Sequence, residues 1–280
     1  MAKNTKPRLR HCLMLVALLL VSGLPLLSGL HLAEAQPLQE ADSSLETDEY
    51  WGLDYLNTVL PEMGQRSAAC AVPAAARFFA EQGGNYTLNL GGGSAEIVGR
   101  GTWGAGPVMP EGRSWVPYPA ASSVCGWLSR ITVHHTHRLY TPLSLQAFHQ
   151  TQSDPKADIA YHFFIDEAGV IYEGRPLGFM GSHSERDNSN NVGIALNGDF
   201  NERLPGQPQL NALRRLLVAL RCPCAPLEGI WTHQQRNSFK FPADPAYATE
   251  CPGQQLASEV YGLAAALGVG PLTRSVIQSP

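Results

Sequence analysis

The chain has 280 residues, 44% of them hydrophobic, and a formal net charge of −4 at pH 7. That is enough to bury a full core as one large domain or two small ones. The acidic balance excludes nucleic-acid binding by bulk electrostatics, and no apolar stretch beyond the N-terminus approaches membrane length.

The first 35 residues differ from the rest. Lys3, Lys6, Arg8 and Arg10 precede an apolar run over residues 12–32, and Ala33-Glu34-Ala35 supplies small residues at a cleavage-like site. This pattern predicts a signal peptide over residues 1–35. Gly23, Pro25 and Gly29 interrupt the run that an uncleaved anchor would need. Cleavage takes away four cations and Glu34, moving the net charge from −4 to −7. It leaves a secreted, periplasmic or extracellular protein with no stable membrane insertion. Five cysteines then remain: Cys70, Cys125, Cys222, Cys224 and Cys251. An odd count in an oxidising compartment leaves one unpaired. If Cys251 serves a metal, the other four form two disulfides. Cys222 and Cys224 are separated by one proline and would make a strained pair, so each bonds Cys70 or Cys125.

Residues 36–93 read as an N-terminal extension. It begins with an acidic segment, continues through a helix-like stretch at 71–79, and ends in Gly83-Gly84 and Gly91-Gly92-Gly93, which read as linker. Asn85-Tyr86-Thr87 matches a glycosylation acceptor. From residue 94 to 268 strands and helices alternate, the mark of an α/β domain. Ile131-Thr132-Val133 reads as a buried strand that ends on a histidine. Thr141-Pro142 opens a helix to about Gln152. Residues 161–165 read as a strand with Tyr161, Phe163 and Ile165 on one face, turned back by Glu167-Ala168-Gly169 onto residues 170–173. Residues 192–196 form another buried strand. Leu210, Leu213, Leu217 and Leu220 recur at helical spacing, with Arg214 and Arg215 outside. Residues 236–247 read as an inserted loop, 255–267 as a final helix, and 269–280 as a flexible tail.

Two segments carry chemistry: Val133-His134-His135-Thr136 at a strand end, and Thr249-Glu250-Cys251-Pro252-Gly253 in a loop, with His233 between them. Two imidazoles and one thiolate make a three-ligand set of the kind used by catalytic zinc, with the fourth position left to water or substrate. No C-x-x-C pair is present to close a structural site. His135 and His137 compete with His134 as ligands, and a disulfide competes for Cys251.

These segments, with four others in order, resemble the zinc-dependent N-acetylmuramoyl-L-alanine amidases of type 2, a group that includes the peptidoglycan recognition proteins. The others are Arg100-Gly101-Thr102-Trp103-Gly104-Ala105; Asp158-Ile159-Ala160-Tyr161-His162; Gly169-Val170-Ile171-Tyr172-Glu173-Gly174-Arg175; and Asn191-Val192-Gly193 through Gly198-Asp199-Phe200. The resemblance covers about 60% of the chain, over residues 97–268. It implies a central mixed β-sheet flanked by helices in a single catalytic domain. It implies Zn2+ on His134, His233 and Cys251, with Tyr161 and Thr249 steadying the oxyanion of an amide under attack. His135, His183, Asn191 and Arg175 are implied on the substrate side, with peptidoglycan or muropeptides as partner and the protein a monomer. Glu173 and Arg175 read equally as an ion pair on the hairpin. In the family the later histidine lies closer to the cysteine than the 18 positions found here. Pro176-Leu177 stands where many relatives carry Gly-Trp. The alternative function is recognition of peptidoglycan without cleavage.

Overall fold

The structure, a computed structural model, describes residues 83–270 apart from Gly112, Ala120 and Ala121. The expected signal peptide, the acidic segment, the stretch at 71–79, Cys70 and the tail from residue 271 lie outside the described residues.

A hairpin, β1 (Tyr86–Leu88) with β2 (Ala95–Ile97), precedes two short helices, α1 (Arg100–Trp103) and α2 (Val124–Trp127). The glycines read as a linker at 91–93 instead join these two strands, and Leu88 and Leu90 are buried in the core. Five strands then build the central sheet: β3 (Arg130–His135), β4 (Phe163–Ile165), β5 (Ile171–Glu173), β6 (Asn191–Leu196) and β7 (Gly229–Thr232). Their order is β5-β4-β6-β3-β7, parallel except for β5, so the sheet is mixed, as expected. Four helices follow or intervene: α3 (Pro142–Thr151), α4 (Gln207–Ala219), α5 (His233–Lys240) and α6 (Gln254–Ala266). Among the described residues no helix is long and apolar enough to cross a membrane.

Side chains alternate across a strand, and here the alternation separates core from chemistry. Ile131 and Val133 of β3 join Val192, Ile194 and Leu196 of β6 and Phe163 and Ile165 of β4 in the main core. Leu213, Leu216 and Leu217 of α4 and Leu256 and Val260 of α6 complete it. Phe164 instead meets Leu145 of α3 and Ile159 in a smaller cluster, against which Tyr161 packs. Tyr161 therefore does not share a face with Phe163 and Ile165. It precedes β4, in a bent segment held where Ala160 N donates to His149 Nδ1 (3.2 Å) and Arg175 N donates to Tyr161 O (2.8 Å).

The stretch expected as an inserted loop is largely helical. Thr232 caps α5 by accepting from Gln235 N at 3.1 Å, and a 3-10 turn at Pro245–Tyr247 follows. Asp187, buried, clamps the helix from outside. Its carboxylate accepts from Arg236 Nε (2.5 Å) and NH2 (3.1 Å) and from Lys240 Nζ (3.1 Å), with Arg130 NH2 at 3.6 Å. Cys125 and Cys222 are disulfide-bonded, Cys224 is also disulfide-bonded, and Cys251 is the free cysteine among the described residues.

Burial alone would raise the Asp187 pKa, but the Arg236 hydrogen bonds and the neighbouring cations hold it below the usual carboxylate value. A pKa depressed on folding stabilises above the unfolded value, and that contribution is lost as pH falls through the folded one. Asp187→Asn is expected to cost about 3–5 kcal/mol at pH 7. It should also flatten the acid side of the profile, so that urea denaturation stepped below about pH 4 finds the wild type losing stability more steeply than the variant.

Candidate metal centre

His134 is the last residue of β3 on the face opposite Ile131 and Val133, and it is buried. His233 opens α5 directly after β7, the strand next to β3. Cys251 lies in the loop before α6, where Gln234 N donates to Cys251 O at 2.7 Å and ties the loop to the start of α5. One donor atom from each of His134, His233 and Cys251 lies within 4.8 Å of the others. His134 Nδ1 is 3.5 Å from Cys251 Sγ. Two imidazoles and a thiol at this spacing fit a metal ion. His134 and Cys251 are both buried.

The electrostatics suit the same reading. Burial, reinforced by the neighbouring His233, His183 and His135, holds His134 well below its ordinary pKa, and burial brings His233 to about 4. Both imidazoles are thus neutral and free to donate lone pairs. Burial pushes the Cys251 thiol up to about 12, so only a nearby cation would make it a thiolate.

His183 gives His134 its second partner. His134 Nε2 lies 3.0 Å from His183 Nδ1, and His183 Nε2 lies 3.2 Å from Asn191 O. One assignment of hydrogens satisfies the whole chain: His134 Nε2–H donates to His183, and His183 Nε2–H donates to the carbonyl. His134 Nδ1 is then left bare toward Cys251. Glycine at position 193 makes the room, since a Cβ there would come within 2.4 Å of His183 Cδ2.

The remaining expected residues divide. Tyr161 packs its ring against His134, 5.1 Å between centroids, and against His149, 5.4 Å. Burial raises its pKa, with Cys251 adding to the shift. The Thr249 hydroxyl accepts from Cys251 N at 3.1 Å and so shapes the cysteine loop. Two residues expected on the substrate side, Arg175 and Asn191, are occupied elsewhere. Arg175 is fully buried, and a guanidinium removed from water must find acceptors. It donates to Ile159 O (3.2 Å), Ser114 O (3.1 Å) and Met180 O (2.9 Å), beneath Trp115. Asn191 is also fully buried, bonded to Thr132 Oγ1 (3.0 Å) and Asp187 O (2.8 Å). His135 bonds His137 Nε2 and Phe200 N and lines a cleft with Tyr161. His183 borders the cleft, with its ring nitrogens committed to His134 and Asn191.

A cleft of about 830 Å³ opens over His233, His183 and Thr249. One wall carries Arg113, Trp115 and Val116, and the other Tyr247 and Ala248. A second cleft of about 410 Å³, over Tyr161, Tyr140, Phe148 and His149, shares Lys156, Ser182 and His183 with the first.

The chain is similar in sequence to known proteins. The family model described as N-acetylmuramoyl-L-alanine amidase matches residues 127–254. A peptidoglycan-recognition protein of Drosophila simulans is 32% identical over 184 residues, covering 62% of this chain and 88% of that protein. Peptidoglycan-recognition protein LB of Drosophila melanogaster is 29% identical over 193 residues, or 61% and 71% of the two chains. Among solved structures, the N-acetylmuramoyl-L-alanine amidase LysC from Clostridium intestinale aligns at 30% identity and a TM-score of 0.43, over 55% of this chain and 95% of that one.

His183→Ala is expected to lower metal affinity about 10- to 100-fold, read from Co2+ absorption in competition with a chelator. Gly193→Ala should move it in the same direction by displacing the His183 ring.

Proposed function

Since this chain belongs to the superfamily of type 2 N-acetylmuramoyl-L-alanine amidases and peptidoglycan-recognition proteins, we propose that it is a secreted zinc amidase. Its reaction is hydrolysis of the amide between N-acetylmuramic acid and L-alanine in peptidoglycan. The observation that carries this reading is the convergence of His134, His233 and Cys251 beside Tyr161, at the border of the two clefts.

His134, through Nδ1, with His233 and Cys251 would hold the zinc. When bound, zinc supplies a Lewis acid for the scissile carbonyl and lowers the pKa of water. Tyr161 keeps its hydroxyl proton, because burial raises its pKa, and so donates a hydrogen bond to the carbonyl oxygen as charge builds there. Thr249 acts through the loop, holding the Cys251 amide. Lys156 and Arg113 place cations along the cleft for the carboxylates of a stem peptide. Both neutral histidines offer donors without competition from protons near neutral pH.

The relatives' name, peptidoglycan-recognition protein, favours a second reading in which the chain holds muropeptide without cutting it. Release of stem peptide from purified peptidoglycan by the zinc-loaded full chain separates the two. Tyr161→Phe is expected to lower kcat by about 100- to 1,000-fold with zinc content unchanged, and Cys251→Ser to lose cleavage together with the zinc held by His134 and His233. Binding with no cleavage by the zinc-loaded wild type would overturn the amidase and leave recognition.

A further inference from the structure

We propose a second metal site, for a divalent transition ion, between the imidazoles of His135 and His137, with the Asp199 carboxylate behind both rings. It shares no donor with the centre described above, and it stands or falls independently of the amidase reading. A left-handed backbone at His137 (φ 60) turns its ring back over His135. The ring centroids are 3.7 Å apart and the two Nε2 atoms 2.8 Å apart. Asp199 Oδ1 lies 3.8 Å from His135 Nδ1, and Oδ2 lies 3.9 Å from His137 Nδ1. Asn201 fixes the carboxylate through its backbone N (3.1 Å) and side-chain Nδ2 (2.9 Å).

The hydrogens can be followed. Phe200 N donates to His135 Nδ1 over a long 3.3 Å, so without metal His135 carries its hydrogen on Nε2 and gives it to His137 Nε2. An ion between the two Nε2 atoms replaces that hydrogen bond. The His135 hydrogen moves to Nδ1, so the Phe200 N–H loses its acceptor and must turn aside, and the 3.8 Å gap to Asp199 Oδ1 must close for the carboxylate to take that hydrogen. His137 keeps its hydrogen on Nδ1, facing Oδ2. No proton is released, and both rings end as neutral ligands backed by one carboxylate, the arrangement that orients ligating histidines in metal sites. Paired imidazoles suit copper, nickel or zinc. The side chains of His137 and Asp199 are 54% and 50% exposed, so an ion can enter and water can complete its shell.

Calorimetric titration of the full chain with Zn2+ alone tests this. Wild type is expected to take up two equivalents, His137→Ala one, and Cys251→Ser one, the weaker of the two. Asp199→Asn should weaken that second equivalent about 10-fold. A single equivalent that Cys251→Ser removes and His137→Ala leaves unchanged would overturn the proposal. A single equivalent that His137→Ala removes and Cys251→Ser leaves would uphold it while sinking the zinc centre proposed for the amidase.

Discussion

A buried imidazole must satisfy both of its nitrogens, and for His134 that requirement reaches across four segments of the chain. One nitrogen faces Cys251 and His233, and the other needs a partner inside the protein. His183 provides it, and is itself held by the Asn191 carbonyl at 3.2 Å. That arrangement needs a strand without side-chain bulk at position 193, where a Cβ would collide with the His183 ring. It also depends on the period of two along β3, which sends Ile131 and Val133 into the main core and His134 to the other side. Packing and site are two faces of one strand.

The other two donors are fixed by different means. His233 stands where β7 becomes α5, and the helix is pinned by its Thr232 cap and by the Asp187 clamp on Arg236 and Lys240. Cys251 is tied to that helix through Gln234 N and to its own loop through Thr249. Burial then acts oppositely on the two kinds of donor. It favours the uncharged imidazole, which is ready to ligate, and the uncharged thiol, which is not. The cysteine is the member of the set whose state depends on a cation.

Periodicity made most of the fold legible. The alternation of Ile131 and Val133, the leucine spacing over 210–220 and the Thr141-Pro142 helix start all reappear in β3, α4 and α3. The odd cysteine count pointed to an unpaired thiol, and Cys251 is free. What local pattern could not supply was side-chain direction outside regular elements. Tyr161 continues the alternation of Phe163 and Ile165, yet the bond from Arg175 N to Tyr161 O and that from Ala160 N to the His149 ring accompany a bend before β4 begins. The family resemblance implies a substrate-side role for Arg175, whereas its guanidinium serves three buried carbonyls. The inserted stretch read as loop because its aromatic and proline residues masked a capped helix held by a distant acid. The signal for His183 lies in Gly181 and Gly193, whose missing side chains leave room for its ring.

The larger cleft is walled by residues that belong to no strand of the central sheet: Arg113 to Val116 on one side, Tyr247 and Ala248 on the other. Segments of that kind tolerate replacement and change of length far better than the elements they border. The donor histidines, by contrast, are set by strand register and helix capping. Drift in the walls can therefore reshape what enters the cleft while the candidate metal donors stay where they are. In descendants of this chain, selectivity and coordination are free to diverge at different rates.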